Sequence, residues 1–162
     1  MATGLGVAFA QSNERIAHVN ERIAVSKMMA AAQARAGAKW FYWIAGLSMI
    51  NSLVVLRGGN LHFVVGLGIT SVVDGLAKRV GDAGPVLDLV ISGSMATIFV
   101  LIGRFAVKTR KWAFVSGMAL YATDGLLLLT ARNYLAVGVH VFALYAIYRG
   151  YRAAKLVQVS VV

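Results

Sequence analysis

Residues 112–131 read WAFVSGMALYATDGLLLLTA, a run of 20 residues in which Asp124 is the one formally charged side chain. A membrane-spanning helix needs about 20 predominantly apolar residues, because the hydrocarbon core of a bilayer is about 30 Å thick. A membrane β-barrel would instead show segments of alternating apolar and polar residues. The run is continuous, so we predict that it crosses a membrane as a helix.

The composition of the whole chain points to the same class of protein. Of its 162 residues, 59% are hydrophobic and 14% are charged, whereas a soluble domain is roughly 45–50% apolar and about 25% charged. The mean hydropathy is +0.74. These values argue against a soluble enzyme, a disordered tail and a nucleic-acid-binding domain. The lack of cysteine excludes disulfides, thiolate-bound zinc, iron–sulfur clusters and covalently attached c-type haem.

The net charge of +10 fits a membrane protein without a nucleic acid partner. The basic residues lie at the ends of apolar runs, where they meet anionic lipid headgroups. We therefore expect the lipid bilayer itself, with anionic lipids at the basic ends, to be the first partner of this chain.

Five apolar segments approach the length of a membrane span. They are residues 40–56, 61–77, 86–103, 112–131 and 134–148. The last is short and requires Arg149 and Arg152 to extend their side chains to the interface. The predicted fold is an all-α integral membrane protein with about five transmembrane helices in a compact bundle, with four as the alternative count.

A polar helical segment precedes the first span, which divides the chain into residues 1–38 and 39–162. Asn13–Ala17 repeats as Asn20–Ala24, and Ile16, Val19 and Ile23 recur at heptad-like spacing. Two heptads are too few for a coiled coil. The segment is expected to be an amphipathic helix, which either lies on the membrane surface or docks onto a partner.

Aromatic residues mark the expected membrane–water interfaces, where Trp and Tyr are enriched. The predicted anchors are Trp40, Trp43, Trp112, Tyr145, Tyr148 and Tyr151. Small residues recur at four-residue spacing, for example Ser92 and Ala96. Such pairs let helices pack closely in lipid, and they fit packing within the chain or self-association.

The distribution of basic residues does not orient a five-span protein. With five spans, the 16 Lys and Arg divide into eight on each side of the membrane. The first span favours a cytoplasmic N-terminus, and the loop from Lys108 to Lys111 also favours the cytoplasm. These two demands conflict with five spans, so either one span is wrong, or another factor sets the topology, or the protein inserts both ways.

Three polar side chains inside predicted spans form the candidate intramembrane site, because such groups are costly in lipid and are functional hypotheses by default. Asp124 lies near the middle of its span, and Asn51 is the predicted hydrogen-bond partner from the first span. Asp74 precedes Lys78 by four residues, which favours a structural ion pair. For Asp124, proton or cation handling and a structural interhelical bond both stay open.

His62 and His140 raise a remote alternative, a b-type haem held between two helices. In a five-span bundle their depths disagree, so we expect no haem, no metal and no other cofactor. No nucleophile–base–acid set and no phosphate-binding loop is present in the sequence, and we expect no enzyme activity.

Two functional classes remain. In the first, the protein is a non-catalytic subunit that assembles with itself or with a larger membrane complex, in a prokaryotic inner membrane. In the second, it is a small ion- or proton-coupled carrier or channel that uses Asp124.

Overall fold

The computed structural model describes residues 2–57, 84–130 and 132–159. These residues form four helices, and the all-helical prediction is confirmed for them. The helices are α1 (Ala2–Leu56), α2 (Gly84–Val107), α3 (Lys111–Thr130) and α4 (Tyr134–Val159).

Helix α1 runs without interruption through the boundary expected at residues 38 and 39. It holds 55 residues, which corresponds to about 80 Å at 1.5 Å per residue. Proline breaks helices most strongly, and the single proline of the chain is Pro85, so α1 contains none. The surface helix expected before residue 39 is the first part of α1 rather than a separate element.

Two helices in the described part of the chain are long and apolar enough to cross a membrane, Leu89–Val107 within α2 and Lys111–Thr130 in α3. The prediction of five spans is not confirmed. Segments 40–56 and 134–148 are helical but belong to the longer α1 and α4, and segment 61–77 lies outside the described residues.

The main contacts of the bundle join helices that run antiparallel to each other. Gly37 of α1 faces Gly150 of α4, and Trp40 meets Phe142 with ring centroids 5.5 Å apart. Helix α1 also contacts α2, and α3 contacts both α2 and α4. The chain therefore forms an up-and-down bundle in which α1 and α3 run in one direction and α2 and α4 in the other.

A chain of aromatic rings fills the centre of the bundle. Phe41 lies 6.3 Å from Phe99 and 6.2 Å from Phe114, and Phe99 lies 6.1 Å from Tyr121, all measured between ring centroids. The four side chains are 0% exposed. Gly117 makes room for Phe41, because a Cβ atom there would lie 2.4 Å from the Phe41 ring.

Two short turns join the last three helices, and each uses a left-handed residue. Thr109 and Arg132 have φ of 58° and 56°. In both turns the N–H of that residue and the next return to carbonyls of the preceding helix, the pattern of a Schellman motif. Asn133 Oδ1 then accepts the N–H of Ala136 at 3.2 Å, which caps the start of α4.

The two ends of the bundle differ in charge. The basic end comprises the α2–α3 turn and the end of α4, which are tied together by a 2.9 Å hydrogen bond from Gln158 Nε2 to the Thr109 carbonyl. Its basic residues are Arg104, Lys108, Arg110, Lys111, Arg149, Arg152 and Lys155. The opposite end holds the α3–α4 turn.

The close approach of α1 and α4 predicts opposite effects for two glycine substitutions on the same helix. A Cβ atom at Gly37 would lie 2.6 Å from the backbone of Gly150, whereas one at Gly46 would meet nothing within 4 Å. Gly37→Ala should lower the free energy of unfolding by roughly 1–3 kcal/mol, because backbone must move. Gly46→Ala should raise it by up to about 1 kcal/mol, through helix propensity.

Denaturant unfolding of the purified full chain in detergent, followed by circular dichroism, measures both effects. Equal stabilities for the two alanine variants would contradict the tight α1–α4 contact.

Candidate functional site

A buried hydrogen bond joins Asp124 of α3 to His140 of α4. Asp124 Oδ2 lies 2.9 Å from His140 Nε2, and the two residues are 4% and 1% exposed. Each lies eight residues from Arg132, which stands in the tight turn of an antiparallel hairpin. The turn therefore brings them to the same level, about 12 Å along each helix at 1.5 Å per residue.

The second nitrogen of His140 determines how many protons the pair holds. His140 Nδ1 lies 2.9 Å from the Ala136 carbonyl oxygen. A carbonyl can only accept, so Nδ1 must carry a proton. Nε2 then either accepts a proton from a neutral Asp124 carboxyl or, in an imidazolium, donates to a carboxylate. In both arrangements the pair has zero net charge, which suits its burial.

Tyr121 covers one face of the histidine. The Tyr121 and His140 rings stack with centroids 4.2 Å apart and planes inclined by 13°. The Tyr121 hydroxyl is buried and has no hydrogen-bond partner among the described residues. The site thus places a carboxyl group, an imidazole and a phenol side by side in the interior of the bundle.

Helices α1 and α2 add further buried polar residues, which are Ser48, Asn51, Ser52 and Ser92. Phe41 of α1 touches Gly117 of α3, and these two helices run in the same direction. Seven residues further along each helix, Ser48 comes level with Asp124. Ser52 Oγ is buried and, like the Tyr121 hydroxyl, lacks a hydrogen-bond partner within the described residues.

The predicted intramembrane residues have different outcomes. Asp124 and Asn51 are both buried, and the contact found for the Asp124 carboxyl is His140. The proposed Asn51–Asp124 hydrogen bond stays a prediction. Asp74 and His62 lie outside the described residues, so the Asp74–Lys78 pair and the His62–His140 haem site also stay predictions.

The aromatic anchors lie mostly on the outside of the bundle. Trp43, Trp112, Tyr145 and Tyr148 are exposed, whereas Trp40 and Tyr151 are partly buried against it. Trp112 packs on Phe105 with centroids 5.2 Å apart. Trp112 lies at the start of α3, a position at which an exposed tryptophan can anchor a helix at a bilayer interface.

His140 is poorly suited to hold a haem or a metal in this arrangement. A metal-ligating nitrogen needs a free lone pair, and both ring nitrogens of His140 are engaged by Ala136 and Asp124. The described part of the chain also has no group of three or more His, Cys, Asp or Glu residues that could hold a metal ion.

Sequence reasoning missed the pairing of Asp124 with His140 and the stacked Tyr121. The signal was available, because Asp124 and His140 are equally distant from the Arg132-Asn133 turn. Depth counted from the predicted loops does not reveal the pairing, because the pairing depends on the register within one hairpin. The Tyr121 stack carries no comparable sequence signal.

Removing Asp124 should destabilise the bundle in a graded way. Asp124→Ala leaves the buried His140 Nε2 without a partner and should cost about 3 kcal/mol. Asp124→Asn can still donate an N–H to that nitrogen, so we expect it to cost about 1 kcal/mol. Unfolding of the purified variants in detergent measures both values.

Thr123→Ala is the matched control, because Thr123 is the exposed neighbour whose hydroxyl bonds only the Ala119 carbonyl of its own helix. It should change stability by less than about 0.5 kcal/mol. If Asp124→Ala were no more damaging than Thr123→Ala, the Asp124–His140 bond would not contribute to stability.

No family model matches the chain, and no match was found among curated proteins or solved structures.

Proposed function

We propose that this chain is a membrane-inserted, non-catalytic subunit that assembles, with itself or within a larger membrane complex, through the first part of α1. The observation that carries the proposal is the exposure of this part of the helix. Every side chain described from Val7 to Met29 is exposed, including large apolar ones. The localisation we propose is a prokaryotic inner membrane.

Membrane insertion is supported by where the apolar residues lie. In the two apolar stretches of α2 and α3 only a third of the residues are buried, whereas the core helix of a soluble protein would be mostly buried. Exposed apolar side chains recur along these helices, for example Val100, Leu101, Leu120 and Leu126. Lipid is the environment in which such surfaces are stable.

The antiparallel packing supports four crossings rather than five. Because α1 and α2 are antiparallel neighbours, Arg57 at the end of α1 and Gly84 at the start of α2 belong to the same end of the bundle. We therefore propose that α1 to α4 each cross once, and that both termini lie on the side of the basic end.

With four spans, the first span and the loop from Lys108 to Lys111 favour the same orientation of the chain. Twelve of the 16 Lys and Arg then share one side. They are five before Trp40, four from Arg104 to Lys111 and three after Tyr148. Of the basic residues that the structure describes, Arg57 and Arg132 lie on the other side. By the positive-inside rule the basic end is cytoplasmic.

Single cysteines test the topology, because the chain contains no native cysteine. In intact cells, a membrane-impermeant maleimide should label Arg132→Cys, and should label Asn20→Cys and Lys155→Cys only after permeabilisation. Labelling of Asn20→Cys and Lys155→Cys from opposite sides would require an odd number of crossings and would overturn the four-span arrangement.

The first part of α1 extends beyond the rest of the bundle. Gly37 faces Gly150 in an antiparallel contact, so Val159 at the end of α4 comes level with Met28. Residues 7–25, here called the projecting segment, lie beyond that point, over about 28 Å at 1.5 Å per residue. Within it Ile16, Val19 and Ile23 are 54%, 54% and 44% exposed.

The spacing of these three residues supports a protein partner for the projecting segment. Offsets of three, four and seven residues place Ile16, Val19 and Ile23 along one face of the helix, while Glu14 and Glu21 lie on another face. An apolar stripe of this kind is how helices dock in grooves or pair with other helices. A partner would cover the stripe.

Site-specific photocrosslinking in native membranes tests the assembly. A photoreactive residue in place of Ile16 or Ile23 should give discrete adducts with a polypeptide, either a second copy of this chain or another subunit. The same residue in place of Glu14 or Glu21 should give at least about tenfold less adduct, because contacts fall off away from the docked face. Adducts with lipid alone would overturn the subunit proposal and leave a surface-lying helix.

The buried Asp124–His140 pair favours one alternative function, that of a small proton-coupled carrier. A neutral pair that holds an exchangeable proton, next to the Tyr121 phenol, has the components of a proton relay. Asp124→Asn separates the two functions. Loss of proton-coupled uptake with assembly intact would support the carrier, and loss of assembly would support the subunit.

A further inference from the structure

A cleft of about 480 Å³ lies between α1 and α4 at the basic end of the bundle. On α1 its walls include Ser26, Met29 and Gln33, and on α4 they include two tyrosines and two arginines. These four α4 residues are Tyr145, Tyr148, Arg149 and Arg152. The cleft opens beside the Gly37–Gly150 contact, where the two helices are closest.

The cleft is positively charged and has no acidic residue in its lining. Arg149 and Arg152 are exposed, and the ion pairs found among the described residues are His18–Glu21 and Asp124–His140. The nearby Lys155 ammonium lies over the Tyr151 ring, 4.8 Å from its centroid. Two arginines and two tyrosines thus line one cleft, and no acidic side chain of the described residues lines it with them.

The surface changes from polar to apolar from the cleft toward the middle of the bundle. Tyr145 lines the cleft, Val141 follows one turn further in, and their side chains are 59% and 61% exposed. A free phosphate ion gains no free energy from contact with apolar side chains, whereas a phospholipid presents a phosphate and acyl chains together. Arginine binds phosphate oxygens in a bidentate manner, and tyrosine hydroxyls at an interface donate to the same group.

We propose that this cleft binds the phosphate-bearing headgroup of an anionic glycerophospholipid, with Arg149 and Arg152 holding the phosphate and the acyl chains leaving the cleft past Tyr145 and Val141 toward the membrane interior. The proposal rests on the membrane insertion argued above, which puts the basic end in the cytoplasmic leaflet, where anionic lipids attract basic residues. The site goes beyond a general attraction, because the two arginines share one cleft.

Native mass spectrometry of the full chain in detergent tests the proposal without a bilayer surface potential. Dioleoyl phosphatidylglycerol, titrated into the wild-type protein, should form a one-to-one adduct, and dioleoyl phosphatidylcholine should bind at least about tenfold more weakly. Arg149→Gln combined with Arg152→Gln should weaken phosphatidylglycerol binding about tenfold, which corresponds to about 1.4 kcal/mol.

The matched control is Arg104→Gln combined with Arg110→Gln. These two arginines are exposed at the same end of the bundle but do not line the cleft, and the double variant removes the same charge. It should leave binding unchanged within about twofold, because exposed charges contribute little individually. An equal loss in both double variants, or a loss in neither, would overturn the cleft as a lipid site.

Two further outcomes also test whether the cleft binds an anionic phospholipid. Equal binding of the two lipids to the wild-type protein would overturn the proposal even if the cleft variant failed to fold. Displacement of phosphatidylglycerol by millimolar inorganic phosphate would assign the cleft to free phosphate instead.

Absence of polypeptide adducts in the photocrosslinking experiment would overturn the subunit proposal alone, and would leave the lipid result standing.

Discussion

The contact between Gly37 and Gly150 is the constraint on which the rest of the bundle depends. The backbones of α1 and α4 approach so closely that a methyl group on either glycine would lie within 2.7 Å of the other helix. In lipid the helices gain little from the hydrophobic effect, and close packing through small residues is a main source of association. This contact fixes the register of α1 against α4. The projecting segment, the cleft beside the contact and the common side of the two termini all follow from that register.

A second constraint acts inside the bundle, where ionisable groups can be accommodated only in pairs. Asp124 and His140 satisfy each other at 2.9 Å, and the Ala136 carbonyl accepts the remaining proton. A buried ionisable side chain without its hydrogen-bond partner would cost several kcal/mol of stability. The hairpin of α3 and α4 therefore has one favourable register. The same pair that fixes the register also holds a proton, which is why a structural role and a proton-handling role can share these residues.

Charge is thus separated along the bundle. The interior holds a net-neutral polar level composed of Asp124, His140 and nearby hydroxyl and amide side chains, whereas the strongly charged groups gather at the ends. The uneven distribution of basic residues would orient the chain in a membrane. It would also supply arginines for lipid headgroups on the side from which the projecting segment extends.

Much of the secondary structure could be read from the sequence, while the candidate site could be read only in part. The predicted spans 86–103 and 112–131 correspond to α2 and α3 within a few residues, because apolar run length and flanking charge are local properties. The continuity of α1 was missed, since a change in composition near residue 39 suggested a boundary that the backbone does not have. Asp124 was singled out from its place in an apolar run, but its hydrogen bond to His140 was not predicted.

The sequence by itself determined that this chain is helical, apolar and basic at its helix ends, because those properties depend on each residue and its near neighbours. Only the tertiary structure decided which helices are neighbours, that α1 and α2 are antiparallel, and that His140 faces Asp124. The physical reason is that apolar helices match one another almost equally well in any order. A few close backbone contacts and one buried polar pair select among these arrangements, and both are formed by residues distant in the chain.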